Sequence, residues 1–268
     1  MTDVTKNNLN IALLQSGIIW EDAAQNIAHF SAMMDGITMP VDLIVLPEMF
    51  SSGFTTNVQK CAEPMNGASM QFLKESARKK NCLIMGSLLI SEEDAFFNRL
   101  VCMSPDGSYQ TYDKRHLFRL TEEYMIMKPG RKKILVQQGD WRILPLVCYD
   151  LRFPVWSKNT YSNGKYEYDV LVYPSNWPAS RAHVWKSLLI ARAIENQAYV
   201  IGVNRVGNDG YGTLHAGNSL VVGPKGNILA EAENKEEILQ VTLPMQELSV
   251  FRESFTIGPD WDRFTIET

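Results

Sequence analysis

The chain is poor in cysteine and histidine, with only four of each among its 268 residues. The cysteines form no Cys-x-x-Cys pair and have no histidine at zinc-site spacing. Cys82 and Cys102 lie inside apolar runs and are predicted to be core residues. This pattern argues against a disulfide framework and favours a reducing compartment. We therefore predict a cytoplasmic protein.

Long hydrophobic runs and a strong net charge are lacking as well. No apolar run approaches the roughly 18 residues that a transmembrane helix needs. The polar stretch over residues 2–10 contains no hydrophobic core of a signal peptide. The formal net charge is −4, whereas a nucleic-acid or anionic-membrane partner would require a basic face. We expect neither kind of partner.

What the chain does have is an ordinary globular composition, with 45% hydrophobic and 21% charged residues. Short apolar runs such as residues 42–46, typical of buried strands, alternate with helical patterns such as residues 182–196. No linker, repeat or low-complexity segment interrupts this alternation. We predict a single α/β domain over residues 1–268, with a polar tail over about residues 1–8 and a second tail over about residues 244–268.

Three chemically reactive side chains follow the ends of predicted strands: Glu48, Lys114 and Cys148. In α/β folds, sites are built where strands end, because a rigid sheet holds the loops there. Together the cysteine could supply a nucleophile, the glutamate a base and the lysine a positive charge for an oxyanion. Singly, each has an ordinary alternative as a buried small residue, a loop acid or a solvated cation. Spacing alone does not show that they meet.

Cys148 itself follows a predicted strand over residues 141–147, apolar from residue 143 to residue 147, and precedes a helix predicted over residues 155–161, which Phe153 and Pro154 would open. A helix N-terminus favours the thiolate form of a nearby cysteine. This position is suitable for a nucleophile.

Four motifs resemble those of the nitrilase, or carbon–nitrogen hydrolase, superfamily, and the resemblance extends over nearly the whole chain. They are Leu-Pro-Glu-Met-Phe at 46–50, Tyr-Asp-Lys-Arg-His-Leu-Phe at 112–118, Val-Cys-Tyr-Asp-Leu-Arg-Phe-Pro at 147–154 and Ala-Arg-Ala-Ile-Glu-Asn-Gln at 191–197.

The resemblance implies a four-layer α-β-β-α sandwich in which the helices after the third motif and around the fourth pack against a second copy as a homodimer. It implies that Glu48, Lys114, Cys148 and Glu123 form the catalytic set and that no metal ion or other cofactor is needed. It also implies that Glu123 matches the family's second glutamate, positioning the lysine or the substrate's amide nitrogen. The neighbouring Glu122 is easily confused with it.

Within the superfamily the chain is most similar to the omega-amidase branch, especially its bacterial form, in Lys-Arg-His-Leu-Phe-Arg at 114–119 and Tyr-Pro-Ser-Asn-Trp-Pro at 173–178. That implies a small-molecule amide substrate, 2-oxoglutaramate or 2-oxosuccinamate, hydrolysed through a thioester. Related hydrolases of N-carbamoyl compounds, nitriles or other amides share the catalytic residues. Residues 175–177 depart from the animal enzymes and leave the exact substrate open. A non-enzymatic binding protein and a glutaminase serving a partner protein are further alternatives.

Four residues are predicted to contact the substrate. The backbone N–H of Tyr149 would help to hold the oxyanion. Arg152 would hold a substrate carboxylate, because a guanidinium binds this group bidentately, although it could instead pair with Asp150 or another acid. Trp177 and Phe54 would form pocket walls, although either could be a core residue.

Overall fold

The computed structural model of the protein describes residues 8–267. Its α-helices are α1 (Ala23–Asp35), α2 (Val58–Cys61), α3 (Ala68–Lys80), α4 (Glu123–Ile126), α5 (Pro154–Ser157), α6 (Ala182–Asn196) and α7 (Met245–Ser254). Its strands are β1 (Asn8–Gln15), β2 (Leu43–Val45), β3 (Leu83–Glu92), β4 (Ala95–Met103), β5 (Tyr109–Asp113), β6 (Val136–Gln138), β7 (Trp141–Pro145), β8 (Tyr161–Ser162), β9 (Lys165–Tyr166), β10 (Val170–Ser175), β11 (Tyr199–Asn204), β12 (Val206–Asn208), β13 (Leu214–Ala216), β14 (Leu220–Val222), β15 (Ile228–Glu231) and β16 (Glu237–Pro244). Residues 1–7, most of the predicted polar tail, lie outside the described part.

Two six-stranded sheets dominate the described part of the chain. The first has the order β16-β1-β2-β3-β4-β5, and the second has the order β15-β14-β11-β10-β7-β6. Strands β1, β2 and β3 are parallel in the first sheet, and β7, β10 and β11 are parallel in the second. Because parallel strands end at the same sheet edge, the loops that follow them are brought together.

Alternate residues of β1 point into two different hydrophobic layers. Leu9, Ile11 and Leu13 belong to the cluster that also contains the second sheet, whereas Ala12 and Leu14 belong to the cluster that contains residues of α1 and α3. This period of two is the geometry of a strand. A strand segment covered on both faces needs apolar side chains at successive positions, which is why residues 11–14 form a continuous apolar run.

Helix α6 covers the outer face of the second sheet. Its Trp185 and Leu189 are fully buried and lie over Gly202 of β11, where an added Cβ would be 2.6 Å from each side chain. The helix can approach this closely because glycine has no side chain. The layers therefore run helix, sheet, sheet, helix, and the predicted α-β-β-α sandwich is confirmed.

The helix predicted over residues 155–161 is much shorter in the structure, since α5 ends at Ser157. The chain then forms the β8–β9 hairpin, whose turn residues Asn163 and Gly164 have φ of 52° and 76°. Asn159 is buried, and its N–H donates to Asn196 Oδ1 at 2.8 Å. These contacts and the turn conformation compete with continuation of the helix.

The C-terminal segment is packed against the second sheet through α7. Arg252 is buried and donates to Asp169 Oδ1 at 2.6 Å and to the carbonyl oxygen of Gln197 at 2.9 Å.

No helix within residues 8–267 is both long and apolar enough to cross a membrane. The homodimer and the cytoplasmic location stay predictions, the first to be checked by the mass in solution. On the helices that the dimer would use, Val155 is 54% and Ile194 51% exposed.

Candidate active site

Loops from both sheets meet at one edge of the sandwich. Glu48 follows β2, Lys114 follows β5 directly, and Cys148 follows β7. All three line one cavity of about 310 Å³. The structure thus brings together the three residues that the strand-end pattern and the motifs selected.

Lys114 lies between two carboxylates, and the three side chains have no exposed surface. Its Nζ is 2.9 Å from Glu48 Oε1 and 3.0 Å from each carboxylate oxygen of Glu123. Burial opposes the charge of Lys114, but attraction by Glu123 and Glu48 outweighs it, so the pKa of the lysine is raised. Burial raises the pKa of Glu123, against the effect of Lys114. Glu122, by contrast, is exposed.

Asn98, in β4, bridges the carboxylates of Glu48 and Glu123. Its own side chain is buried, since the residue is only 1% exposed. Its Nδ2 donates to Glu48 Oε1 at 2.8 Å and to Glu123 Oε1 at 3.0 Å. Both N–H groups of one amide thereby hold two like charges at fixed positions. This residue was not predicted from the sequence, where Asn98 and Arg99 are two polar residues between the apolar residues 95–97 and 100–103.

Asn176 fixes the other oxygen of Glu48 from the end of β10. Its backbone N–H donates to Glu48 Oε2 at 2.9 Å, and its Nδ2 donates to the Glu48 carbonyl oxygen at 2.7 Å. The carboxylate therefore has donors on both oxygens and cannot rotate without breaking hydrogen bonds. Residues 175–177 were noted as a departure from the animal enzymes, but the contact with Glu48 was not predicted.

Two of the loops carry a non-glycine residue in the left-handed region of backbone space. Cys148 has φ of 42°, and Met49, directly after Glu48, has φ of 46°. Such conformations cost about 1–3 kcal/mol and are found where the surrounding structure enforces them, often at functional sites. The Met49 N–H donates to Ser87 Oγ at 2.9 Å, and Cys148 begins a 3-10 turn, Cys148–Arg152. These turns thus hold the side chains of Glu48 and Cys148 at the cavity.

The surroundings of the Cys148 thiol favour its protonated form. Burial raises its pKa well above the usual value, and the negative charge of Glu48 adds to this. Lys114 and the backbone N–H of Asn176 act in the opposite direction but do not outweigh it. A nucleophilic role for this thiol therefore requires a base beside it.

The four residues predicted to contact the substrate all line the cavity: Phe54, Tyr149, Arg152 and Trp177. The guanidinium carbon of Arg152 lies 4.9 Å from the centroid of the Trp177 ring, within cation–π range. Among the residues that the sequence analysis did not assign to the site, Arg181, Asp209 and His215 also line the cavity.

The model of the family described as carbon–nitrogen hydrolase matches residues 10–253. The chain belongs to the carbon–nitrogen hydrolase family. It is 43% identical to the omega-amidase YafV of Escherichia coli (strain K12) over 259 residues, 96% of this chain and 98% of that protein. It is 30% identical to the 2-oxoglutaramate amidase of Bacillus subtilis (strain 168) over 253 residues, 93% and 96% of the two chains.

A solved structure of XC1258 from Xanthomonas campestris, a CN-hydrolase superfamily protein with an arsenic adduct in its active site, superposes with a TM-score of 0.95. The two are 38% identical, and the match covers 97% of this chain and 99% of that one. The predicted superfamily and the prediction of an enzyme that hydrolyses carbon–nitrogen bonds are confirmed.

In this carbon–nitrogen hydrolase, Asp150 ties the lysine loop to the cysteine turn. It is fully buried, and its Oδ1 accepts from the N–H of His116 at 3.0 Å and lies 2.7 Å from His116 Nδ1. Its Oδ2 accepts from Tyr112 Oη at 2.7 Å and from the Val147 N–H at 3.0 Å. Asp150 is thus engaged by other donors, and the alternative pairing with Arg152 is not formed.

We expect the Asp150→Asn substitution to destabilise the hydrolase by about 3 kcal/mol, because an amide N–H would then face groups that donate to the carboxylate. Urea unfolding, followed by tryptophan fluorescence, measures this. Asp140→Asn, in the exposed β6–β7 turn, is the matched control and should change stability by no more than about 0.5 kcal/mol. Equal effects of the two substitutions would contradict the role of Asp150.

The fourth motif, on α6, contacts the 3-10 turn that carries Cys148 in the hydrolase. Arg192 is buried, and its Nη2 donates to the carbonyl oxygen of Leu151 at 2.6 Å. Its Nη1 lies 2.9 Å from Glu195 Oε1. The motif therefore holds the 3-10 turn that carries Cys148, and none of its side chains lines the cavity.

Proposed function

We propose that the enzyme hydrolyses the terminal amide of small 2-oxo dicarboxylic acid monoamides, namely 2-oxoglutaramate and 2-oxosuccinamate, releasing ammonia and the acid. The observation that carries this proposal is a small cavity with a Glu–Lys–Cys cluster and, in the same cavity, the Arg152 guanidinium. The first group suits amide hydrolysis, and the second suits a substrate carboxylate. The names of the Escherichia coli and Bacillus subtilis relatives support the same substrate class.

In the acylation step Glu48 accepts the proton of the Cys148 thiol, and the sulfur attacks the amide carbon. A free thiol has a pKa of about 8.5, and here burial and Glu48 raise it further, so proton transfer has to accompany the attack. The electron pair of the C=O bond moves to the oxygen, and the oxyanion accepts from Lys114 Nζ and the Tyr149 N–H. Glu48 then protonates the leaving nitrogen as the C–N bond breaks, and a thioester remains.

In the deacylation step Glu48 removes a proton from a water molecule, whose oxygen attacks the thioester carbon. The same two donors hold the second oxyanion. As the carbon–sulfur bond breaks, the acid leaves, and the sulfur regains the proton from Glu48. In each step a proton moves between Glu48 and the thiol, the leaving nitrogen or the water. Proton transfer from the Cys148 thiol to Glu48 therefore leaves the net charge of the buried Glu48, Lys114, Glu123 and Cys148 cluster unchanged.

Glu123 takes no part in this proton transfer. With both oxygens 3.0 Å from the Lys114 ammonium, it serves as a positioning residue that keeps the lysine charged and aimed at the cavity. The 2.5 Å hydrogen bond from the Phe118 N–H to Glu123 Oε2 fixes the carboxylate in turn.

Arg152 is proposed to bind the substrate carboxylate. Within residues 8–267 no carboxylate forms an ion pair with its guanidinium, which lies instead against Trp177. A guanidinium supported by an aromatic face and free of an internal acid is suited to bidentate binding of a carboxylate. The indole also restricts the cavity to small substrates.

The test is ammonia release from 2-oxoglutaramate and 2-oxosuccinamate, compared with glutamine, asparagine, an N-carbamoyl amino acid, a nitrile and the uncharged amide pentanamide. We expect kcat/KM for 2-oxoglutaramate to exceed that for pentanamide by at least about 10- to 100-fold, since each charge-assisted carboxylate contact contributes about 1.5–3 kcal/mol. Hydrolysis of the nitrile or the carbamoyl compound alone would instead support the related hydrolases that share these catalytic residues.

A further inference from the structure

A second arginine, Arg181, lines the same cavity. It is the last residue of the 3-10 turn Ala179–Arg181, and it is half-buried. Its guanidinium carbon lies 5.4 Å from the centroid of the Phe118 ring, which also lines the cavity. Arg181 therefore repeats the arrangement of Arg152, namely a guanidinium over an aromatic wall.

Trp177 connects the two arginines. Its ring supports the Arg152 guanidinium, and its indole N–H donates to the carbonyl oxygen of Arg181 at 2.9 Å. The tryptophan is 3% exposed, and its backbone N–H donates to Asn204 Oδ1 at 2.7 Å. One fixed, buried side chain thus sets the position of the Arg152 guanidinium and of the Arg181 backbone.

The charges that line the cavity are unevenly matched. Lys114 is paired with two carboxylates, whereas neither Arg152 nor Arg181 forms an ion pair with any acid in residues 8–267. Asp209 is the other acid in the wall besides Glu48, and its Oδ1 accepts from the backbone N–H groups of Tyr211 and Thr213. Asp209 Oδ1 thus stabilises the loop between β12 and β13. Within the described residues, therefore, neither guanidinium group has a carboxylate within salt-bridge distance.

We propose that Arg181 is a specificity-determining residue that binds the 2-oxo acid end of the substrate together with Arg152. The inference rests on the proposed function. A 2-oxo acid presents two carboxylate oxygens and a keto oxygen, all acceptors, and two guanidinium groups supply only donors. Glutamine carries an ammonium group in place of the keto oxygen, and this positive charge is repelled by the same pair. The arginine pair therefore selects the keto-amide against the amino acid amide.

The experiment compares Arg181→Met and Arg181→Lys with wild-type enzyme on 2-oxoglutaramate, glutamine and pentanamide. We expect Arg181→Met to lower kcat/KM for 2-oxoglutaramate by about 10- to 100-fold, mainly through KM, because one charge-assisted contact is lost. Pentanamide hydrolysis should be unchanged, and the preference over glutamine should shrink. Arg181→Lys should fall between, because lysine keeps the charge without the planar fork. Arg78→Met, on the exposed face of α3, is the control and should leave all three substrates unaffected.

An equal loss on pentanamide and 2-oxoglutaramate, or a lowered kcat with unchanged KM, would show a structural role and overturn the inference. Unchanged kinetics of Arg181→Met on 2-oxoglutaramate, with the wild-type preference over pentanamide intact, would overturn the role of Arg181 alone. A wild-type enzyme without that preference would overturn the proposed function itself. The melting temperatures of the variants show whether any loss comes from unfolding.

Discussion

Lys114→Met is expected to lower kcat by about 100- to 1000-fold, the usual loss for one oxyanion donor, and also to destabilise the fold. The destabilisation arises because Glu48 and Glu123 would be left as buried carboxylates without their cation, at a cost of about 3–5 kcal/mol. Urea unfolding and steady-state ammonia release measure the two effects. Lys74→Met, exposed on α3, is the matched control and should change neither.

The pH dependence of this variant separates charge from packing. Burial already raises the pKa of Glu123 in the wild type, and loss of Lys114 removes the charge that opposes this rise. The folded state then binds more protons than the unfolded state above the unfolded pKa of about 4.5, so stability falls as the pH rises through that range. We expect the stability deficit to be smaller at pH 5 than at pH 8. A deficit independent of pH would indicate lost packing.

A second substitution isolates the catalytic contribution. Lys114→Met combined with Glu123→Gln removes one of the two unpaired carboxylates and should recover part of the stability. It should recover none of the activity, because the oxyanion donor is still missing. Recovery of activity together with stability would mean that Lys114 only holds the fold.

The strand-end pattern selected three residues that lie together in the structure, because rigid elements position them. Glu48 and Cys148 each follow a strand whose apolar run is visible in the sequence, whereas Lys114 follows the more polar strand β5, and the loops of both sheets meet at one edge. Their meeting was beyond the sequence pattern, since it depends on how two sheets face each other. The family motifs supplied that link, together with Glu123.

Residues that act through hydrogen bonds or from loops were harder to predict. Asn98, beside Arg99 in β4, gave only the signal of a polar residue in a strand, which more often has a purely structural reason. Arg181, in a short 3-10 turn, and the loop between β12 and β13 reach the cavity from segments too short for a sequence period to constrain the direction of a side chain. The short α5 was overestimated because the buried Asn159 and the turn at Asn163 are tertiary and local features that override helical propensity.

Cys148→Ser is expected to have the largest effect, a loss of about 10⁴-fold or more in kcat, with nearly unchanged stability. Serine has almost the same size, but its hydroxyl is far less acidic than a thiol, and Glu48 is not a strong enough base to activate it without a histidine relay. Ammonia release measures the loss. Cys61→Ser, at a partly exposed position on α2, is the matched control and should retain full activity.

The intermediate gives an independent test of the same residue. In wild-type enzyme quenched with acid during turnover of 2-oxoglutaramate, a thioester adds the acyl mass of the substrate to the peptide that contains Cys148. The Cys61→Ser variant should show the same adduct, and Cys148→Ser should show none. Full activity of Cys148→Ser would contradict the mechanism. An adduct on another cysteine would place the nucleophile elsewhere, although Cys82 and Cys102 lie in the core, where burial raises the pKa of Cys82 to about 12.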